Sequence, residues 1–142
     1  MTFKFPLATA TWDQKEIDAM HDVIASGNFT MGEKVRIFEK SFSKYIGSQH
    51  AVMVNSGSSA NLLMIAALFY TKNPKLKLKR GDEVIVPAVS WSTTYYPLYQ
   101  YGLKIKFVDI DIETLNYDLA QLESAITDKT RVVLAVNLLG NS

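Results

Sequence analysis

Residues 51–70 read AVMVNSGSSANLLMIAALFY. The apolar run Ala51–Val54 predicts a short buried strand, and Asn55-Ser56-Gly57-Ser58-Ser59 predicts a turn. From about Ser58 to Tyr70 the chain is apolar on nearly every side, which predicts a buried helix. A Gly/Ser turn at a helix start exposes backbone N–H groups that have no carbonyl one turn earlier to bond. Such a turn is either a plain helix cap or a place where an anion such as phosphate is held. It is not a P-loop, because the Lys that should follow the second Gly is absent.

Toward the N-terminus, residues 1–12 predict an extended arm, with Pro6 fixing the backbone and Trp12 as an anchor. Thr11-Trp12-Asp13-Gln14 has the form of a capping box. Ile17, Met20, Val23 and Ile24 then recur at helical spacing up to a stop at Gly27. Asn28–Gly32 (NFTMG) is a loop, followed by an amphipathic helix with Val35, Phe38, Phe42 and Tyr45 on one stripe and Gly47 as its stop.

Toward the C-terminus, Lys72–Arg80 carries five basic residues in nine. It reads as a solvated loop, with a basic groove as the alternative. Glu83–Val86 predicts a strand stopped by Pro87, and Trp91–Tyr101 a helix stopped by Gly102, with Pro97 in a first turn or at a kink. Lys104–Ile110 predicts a strand with Ile105, Phe107 and Ile110 apolar. Asp118-Leu119-Ala120-Gln121 opens a helix whose Leu119, Leu122, Ala125 and Ile126 face inward. Arg131–Val136 predicts a strand buried on both faces. Strands alternating with helices mean an α/β layer architecture with a largely parallel sheet. Ending at Asn137–Ser142, just past a strand, the sequence reads as a fragment.

Length and composition bound the partners. The 142 residues suit one domain, and 48% hydrophobic with 20% charged residues describes a globular chain. A net charge of +1 makes no electrostatic case for nucleic acid or an anionic membrane. The absence of cysteine excludes disulfides, Cys-ligated zinc and iron–sulfur clusters, and fits a cytoplasmic protein. The first residues lack the pattern of a signal peptide. The longest apolar run, Leu62–Tyr70, falls well short of the roughly 20 residues that span a bilayer.

Ligands of open α/β sheets bind outside the carboxyl ends of the strands. Those ends supply Asn55–Ser59, Pro87–Ser92, Asp109-Ile110-Asp111 and Asn137–Gly140. Trp91 follows a strand among Ser and Thr, and either packs in the core or stacks on a planar ligand ring. Asp109-x-Asp111 is either a turn or a divalent-metal motif of the kind found in sugar-nucleotide transferases. His21 and His50 are isolated, and no nucleophile–base arrangement is visible.

Five stretches in order resemble the DegT/DnrJ/EryC1/StrS sugar aminotransferase family, which depends on pyridoxal phosphate. They are Gly27–Gly32, Phe38-Glu39, Val54–Asn61, Gly81–Ala88 and Phe107–Asp111. PAVSWSTTYYPLYQYG and VNLLGN are most similar to the branch that removes the 3-hydroxyl from a nucleotide-linked 4-keto-6-deoxyhexose. The resemblance implies a three-layer, aspartate-aminotransferase-like large domain (fold type I), incomplete here. Residues 1–32 would form an arm and first helix, and 33–142 the first part of the cofactor-binding domain. It also implies a pyridoxal or pyridoxamine 5'-phosphate cofactor and a nucleotide-sugar substrate, with the active site at a homodimer interface. Gly57 and Ser58 would hold the cofactor phosphate, with Ser59 beside them, and Trp91 would stack on the pyridine ring. The catalytic base and the acid that pairs the pyridine nitrogen would lie beyond residue 142. The isolated chain is therefore expected to be inactive. Transamination on the same scaffold and a non-catalytic binding or dimerisation module are the other functions considered.

Overall fold

Val84, Ile85 and Val86 are fully buried. They form the middle of β1 (Glu83–Pro87), which lies between β2 (Lys104–Val108) and β3 (Thr130–Val133), parallel to both. The computed structural model describes residues 9–141. It divides into two units, Met1–Met53 and Val54–Ser142. The first holds α1 (Gln14–Ser26) and α2 (Glu33–Ile46). The second holds α3 (Gly57–Tyr70), α4 (Ser92–Gln100), α5 (Leu119–Ala125) and the sheet.

Side chains alternate across a strand, and β1 divides the second unit accordingly. Val84 and Val86 pack with Ile65 of α3 and Leu98 of α4, together with Leu78 and Leu103. Ile85 faces the other way, onto Val108, Ala125 of α5, Leu122 and Tyr117. The unit is thus three layers deep, as expected. Each fully buried branched side chain contributes roughly 1.5–3 kcal/mol. Six buried residues on the α3/α4 face against three on the α5 face place most of that stabilisation with α3 and α4. The chain moves from β1 to β2 through α4, then back across β1 to β3 through α5 on the opposite face. Reversing both direction and face keeps the two crossovers of one hand, as parallel sheets require.

Local signals fixed several element ends. Gly27 and Gly47 take left-handed conformations, φ 66° and 79°, and terminate α1 and α2 as predicted. Asp118 caps α5, accepting from the Gln121 N–H at 3.0 Å. Lys72–Arg80 is a loop, although Leu78 within it is buried against the sheet.

Other expectations are corrected. The cap of α1 is Asp13 rather than Thr11. Its carboxylate accepts from the Lys15 N–H at 2.7 Å while Glu16 accepts from the Asp13 N–H at 2.7 Å, two charge-assisted bonds that a Thr/Gln pair would not supply. Ala51–Val54 forms no strand, because no neighbouring strand pairs with it among the described residues. β2 ends at Val108, and the chain beyond it enters a turn closed by an Ile110–Tyr117 bridge. β3 is shorter than Arg131–Val136 and is an edge strand whose Arg131 and Val133 are exposed, so it is not buried on both faces. Leu119 and Ile126 are exposed, since seven-residue α5 packs through Leu122 and Ala125 alone. Among the described residues the stripes of α1 and α2 remain largely exposed, and neither helix has a buried residue. Pro97 lies in the interior of α4, past its first turn, so of the two expected placements the first-turn one is excluded. Pro6 and the first eight residues of the expected arm lie outside the described residues.

Candidate functional site

The 55–59 turn divides its polar groups between two tasks. Ser56 is extended (φ −162°, ψ 162°) and is the N-cap of α3; its Oγ accepts from the Ser59 N–H at 3.2 Å. The Ser56 carbonyl accepts the Ala60 N–H at 3.0 Å. Ser59 Oγ donates to Asn55 Oδ1 at 2.7 Å and lies 3.2 Å from Ser56 Oγ. Asn55, Ser56 and Ser59 therefore bond one another and close the cap. The N–H groups of Gly57 and Ser58 bond no acceptor among the described residues, and the Ser58 side chain is exposed. A Cβ added at Gly57 would meet nothing within 4 Å, so the backbone there is open to close approach. Two N–H groups and a hydroxyl at the positive end of a helix are a donor set for an anion of phosphate type.

Trp91 is 75% exposed and is not packed in the core of the described residues. It is the N-cap residue of α4, and its backbone is bonded within the start of that helix. The Trp91 carbonyl accepts the Thr94 N–H at 2.9 Å, and Thr94 Oγ1 is 2.8 Å from Ser90 Oγ. Tyr95 donates its hydroxyl to the Pro87 carbonyl at 2.8 Å, tying α4 back to the end of β1. Burial pushes the Tyr95 phenol above its ordinary pKa, so the proton for this bond is kept.

One contact brings the two helix starts together. Asn61 Nδ2 donates to the Thr93 carbonyl at 3.2 Å. Ser58, Ser59 and Leu62 of α3 also line a depression of about 190 Å³ with Thr93, Tyr96, Pro97 and Gln100. The first turns of α3 and α4 are thus neighbours at the carboxyl edge of β1, where Trp91 begins α4. Sequence reasoning singled out Gly57, Ser58, Ser59 and Trp91 as candidates and assigned no role to Asn61 or Tyr95, which the hydrogen bonds place beside them. A signal for Asn61 existed: Pro97 has no N–H for the Thr93 carbonyl four residues earlier, and that carbonyl needs another donor.

The Asp109-x-Asp111 pair folds as a turn. Asp111 Oδ1 accepts the N–H groups of Glu113 and Thr114, both at 2.9 Å, and Asp109 Oδ1 accepts the Ile110 N–H. The Thr114 and Glu113 bonds hold the Asp111 carboxyl below its usual pKa. Among the described residues no three His, Cys, Asp or Glu side chains gather where a metal could be held. His21 and His50 are exposed. No described helix is long and apolar enough to cross a membrane.

The family model for the DegT/DnrJ/EryC1/StrS aminotransferases matches residues 10–142. The chain is 67% identical over 137 residues to GDP-4-keto-6-deoxy-D-mannose 3-dehydratase of Yersinia pseudotuberculosis, a match covering 96% of this chain and 34% of the relative. The E. coli enzyme of that name, solved with bound hydrated pyridoxal phosphate, superposes with a TM-score of 0.91 at 61% identity. That superposition covers 99% of this chain and 36% of the other. A variant GDP-4-keto-6-deoxymannose-3-dehydratase solved with GDP-perosamine also gives a TM-score of 0.91, at 63% identity over 96% of this chain and 35% of that one. These relatives are fold type I enzymes, so the α/β layers described above are the fold expected, and the chain spans about a third of its relatives' length.

Proposed function

The chain belongs to the DegT/DnrJ/EryC1/StrS aminotransferase family, and from that premise we propose that it is part of an enzyme that uses pyridoxal or pyridoxamine 5'-phosphate on a nucleotide-linked 4-keto-6-deoxyhexose. The reaction we propose is dehydration at C3, because the relatives at 60% identity and above bear that activity in their names. Transamination of a keto sugar is the second reading, supported by the family's own description.

The observation that carries the proposal is the pairing of open donors at Gly57 and Ser58 with an exposed Trp91 on the adjacent helix start. The Gly57 and Ser58 N–H groups and the Ser58 hydroxyl would bind the dianionic phosphate, with Ser59 shaping the turn from behind through Asn55 and Ser56. Each such contact at a helix end is worth roughly 0.3–1 kcal/mol when exposed. Trp91 would lie against the pyridine ring and set its plane. The cofactor itself supplies the electron sink for breaking bonds at the substrate carbon; the protein orients it and excludes competing reactions. No residue of this chain is assigned the acid or base role. Residues 33–142 would form the first part of the cofactor domain.

A homodimer and a cytoplasmic location belong to the same reading. The exposed stripes of α1 and α2, with Phe38 and Phe42 stacked 5.7 Å apart on α2, support the first. The cysteine-free composition fits the second. Titration of the 142-residue chain with pyridoxamine 5'-phosphate should quench Trp fluorescence saturably. Pyridoxamine without the phosphate should bind much more weakly. No quenching at millimolar cofactor would overturn the assignment of the site.

A further inference from the structure

Pro97 sits inside α4, where its ring removes the N–H that would bond the Thr93 carbonyl. An unbonded carbonyl in a partly buried helix turn is costly. The donor that replaces the lost N–H comes from another helix: Asn61 Nδ2, in the second turn of α3, at 3.2 Å. An acceptor can bond only the amide nitrogen of Asn, so the orientation of the Asn61 side chain follows from its partner. Asn61 lies three residues after Ser58, and Thr93 two residues after Trp91. This single bond joins the phosphate-type turn to the helix start that carries the indole.

We propose that Asn61 is a positioning residue: it uses the carbonyl freed by Pro97 to lock the start of α4, and so Trp91, in register with the Gly57-Ser58 donors. The consequence for ligand binding rests on the cofactor reading given above; the effect on Trp91 does not. A helix start bonded only within itself could shift along its neighbour, because the other bonds at Trp91, from Thr94 and through Ser90, move with α4. The Tyr95–Pro87 bond anchors α4 to β1 but makes no link to α3. Asn61–Thr93 supplies that link.

The test separates positioning from simple satisfaction of a carbonyl. Trp12→Phe leaves Trp91 as the sole tryptophan of a chain that has two. In that background Asn61→Ala should increase the fast local motion of Trp91 in time-resolved fluorescence anisotropy without any ligand present. It should also weaken pyridoxamine 5'-phosphate about tenfold, the cost of one lost hydrogen bond in a partly buried setting. Adding Pro97→Ala gives the Thr93 carbonyl a backbone N–H again. Resistance to urea should then recover, while Trp91 motion and cofactor affinity should stay impaired, because the link between helices is still missing. Recovery of all three together, or an unchanged anisotropy in Asn61→Ala, would overturn the proposal. Altered anisotropy in a chain that binds no cofactor would uphold the tether and count against the cofactor reading alone.

Discussion

Replacing Ser56 and Ser58 separately by Ala should split folding from anion binding within one turn. Ser56 Oγ receives the Ser59 N–H and contacts Ser59 Oγ, each at 3.2 Å. Its loss removes an N-cap and should cost about 1 kcal/mol of stability. The Ser58 hydroxyl has no partner among the described residues, so Ser58→Ala should change stability by less than about 0.5 kcal/mol. Binding should respond in the opposite order. A hydroxyl bonded to a charged phosphate is worth roughly 1.5–3 kcal/mol, or about 10- to 150-fold in Kd. Ser58→Ala should weaken pyridoxamine 5'-phosphate by that factor. Ser56→Ala should leave its affinity nearly intact once the folded fraction is matched, because the Gly57 and Ser58 donors remain. The assay is Trp quenching with pyridoxamine 5'-phosphate and pyridoxamine in parallel, with urea unfolding of each variant. The reasoning fails if Ser58→Ala weakens both ligands equally, or if Ser56→Ala costs more affinity than Ser58→Ala.

Further outcomes follow from the remaining geometry. Tyr117 donates toward the Leu134 carbonyl at 2.8 Å and the Ile85 carbonyl at 3.3 Å, so Tyr117→Phe should lower stability by about 1–2 kcal/mol in urea unfolding. Burial first, and then the neighbouring Tyr95, raises the Tyr117 phenol well above its ordinary value. Its contribution is therefore complete below pH about 10 and declines as pH climbs past the unfolded value; ultraviolet titration should show Tyr117 ionising late, with the Tyr95 phenol also delayed. Asp111 and Asp118 run the other way. Backbone N–H bonds from Thr114 and Glu113, and from Gln121, depress their values. The turn and cap they hold should persist above pH about 4 and loosen as pH falls through that range, read from the Thr114 and Gln121 amides by NMR. Finally, Phe38, Phe42, Leu63, Met64 and Val133 are among many large apolar residues left exposed. The isolated chain should associate with rising concentration in sedimentation velocity, and a monomer that unfolds cooperatively would contradict this.

Features set by a residue and its chain neighbours were legible in the sequence. Gly27 and Gly47 end helices because each supplies a left-handed residue at low cost. Val84–Val86 reads as a strand because a short β-branched run between a Gly-Asp turn and Pro87 suits a sheet covered on both sides, and its side chains are buried alternately on the two faces. What failed depended on a partner. Ala51–Val54 has strand composition, yet extended backbone becomes a strand only when another strand takes its hydrogen bonds. Arg131–Val136 resembles β1 in composition, but at the sheet edge only one side of it is paired. Leu119 and Ile126 match a helical stripe, and the stripe that is covered is the narrower one through Leu122 and Ala125.

The candidate site shows the same division at closer range. Gly57, Ser58 and Trp91 could each be singled out from local chemistry, but nothing local places position 91 beside position 58. That adjacency is produced by the core. Ile65 and Leu98 both pack against the face of β1 that carries Val84 and Val86, so α3 and α4 must lie side by side. Hydrophobic packing of this kind sets the neighbours but leaves sliding along the helix axes weakly opposed, because apolar contacts carry little direction. A directional bond at the helix starts is what fixes the register, and Pro97 creates the vacancy that lets Asn61 provide one. A proline that reads as a fault in a helix thus makes physical sense in α4. It frees one carbonyl, and that carbonyl ties the helix carrying Trp91 to the turn with open donors.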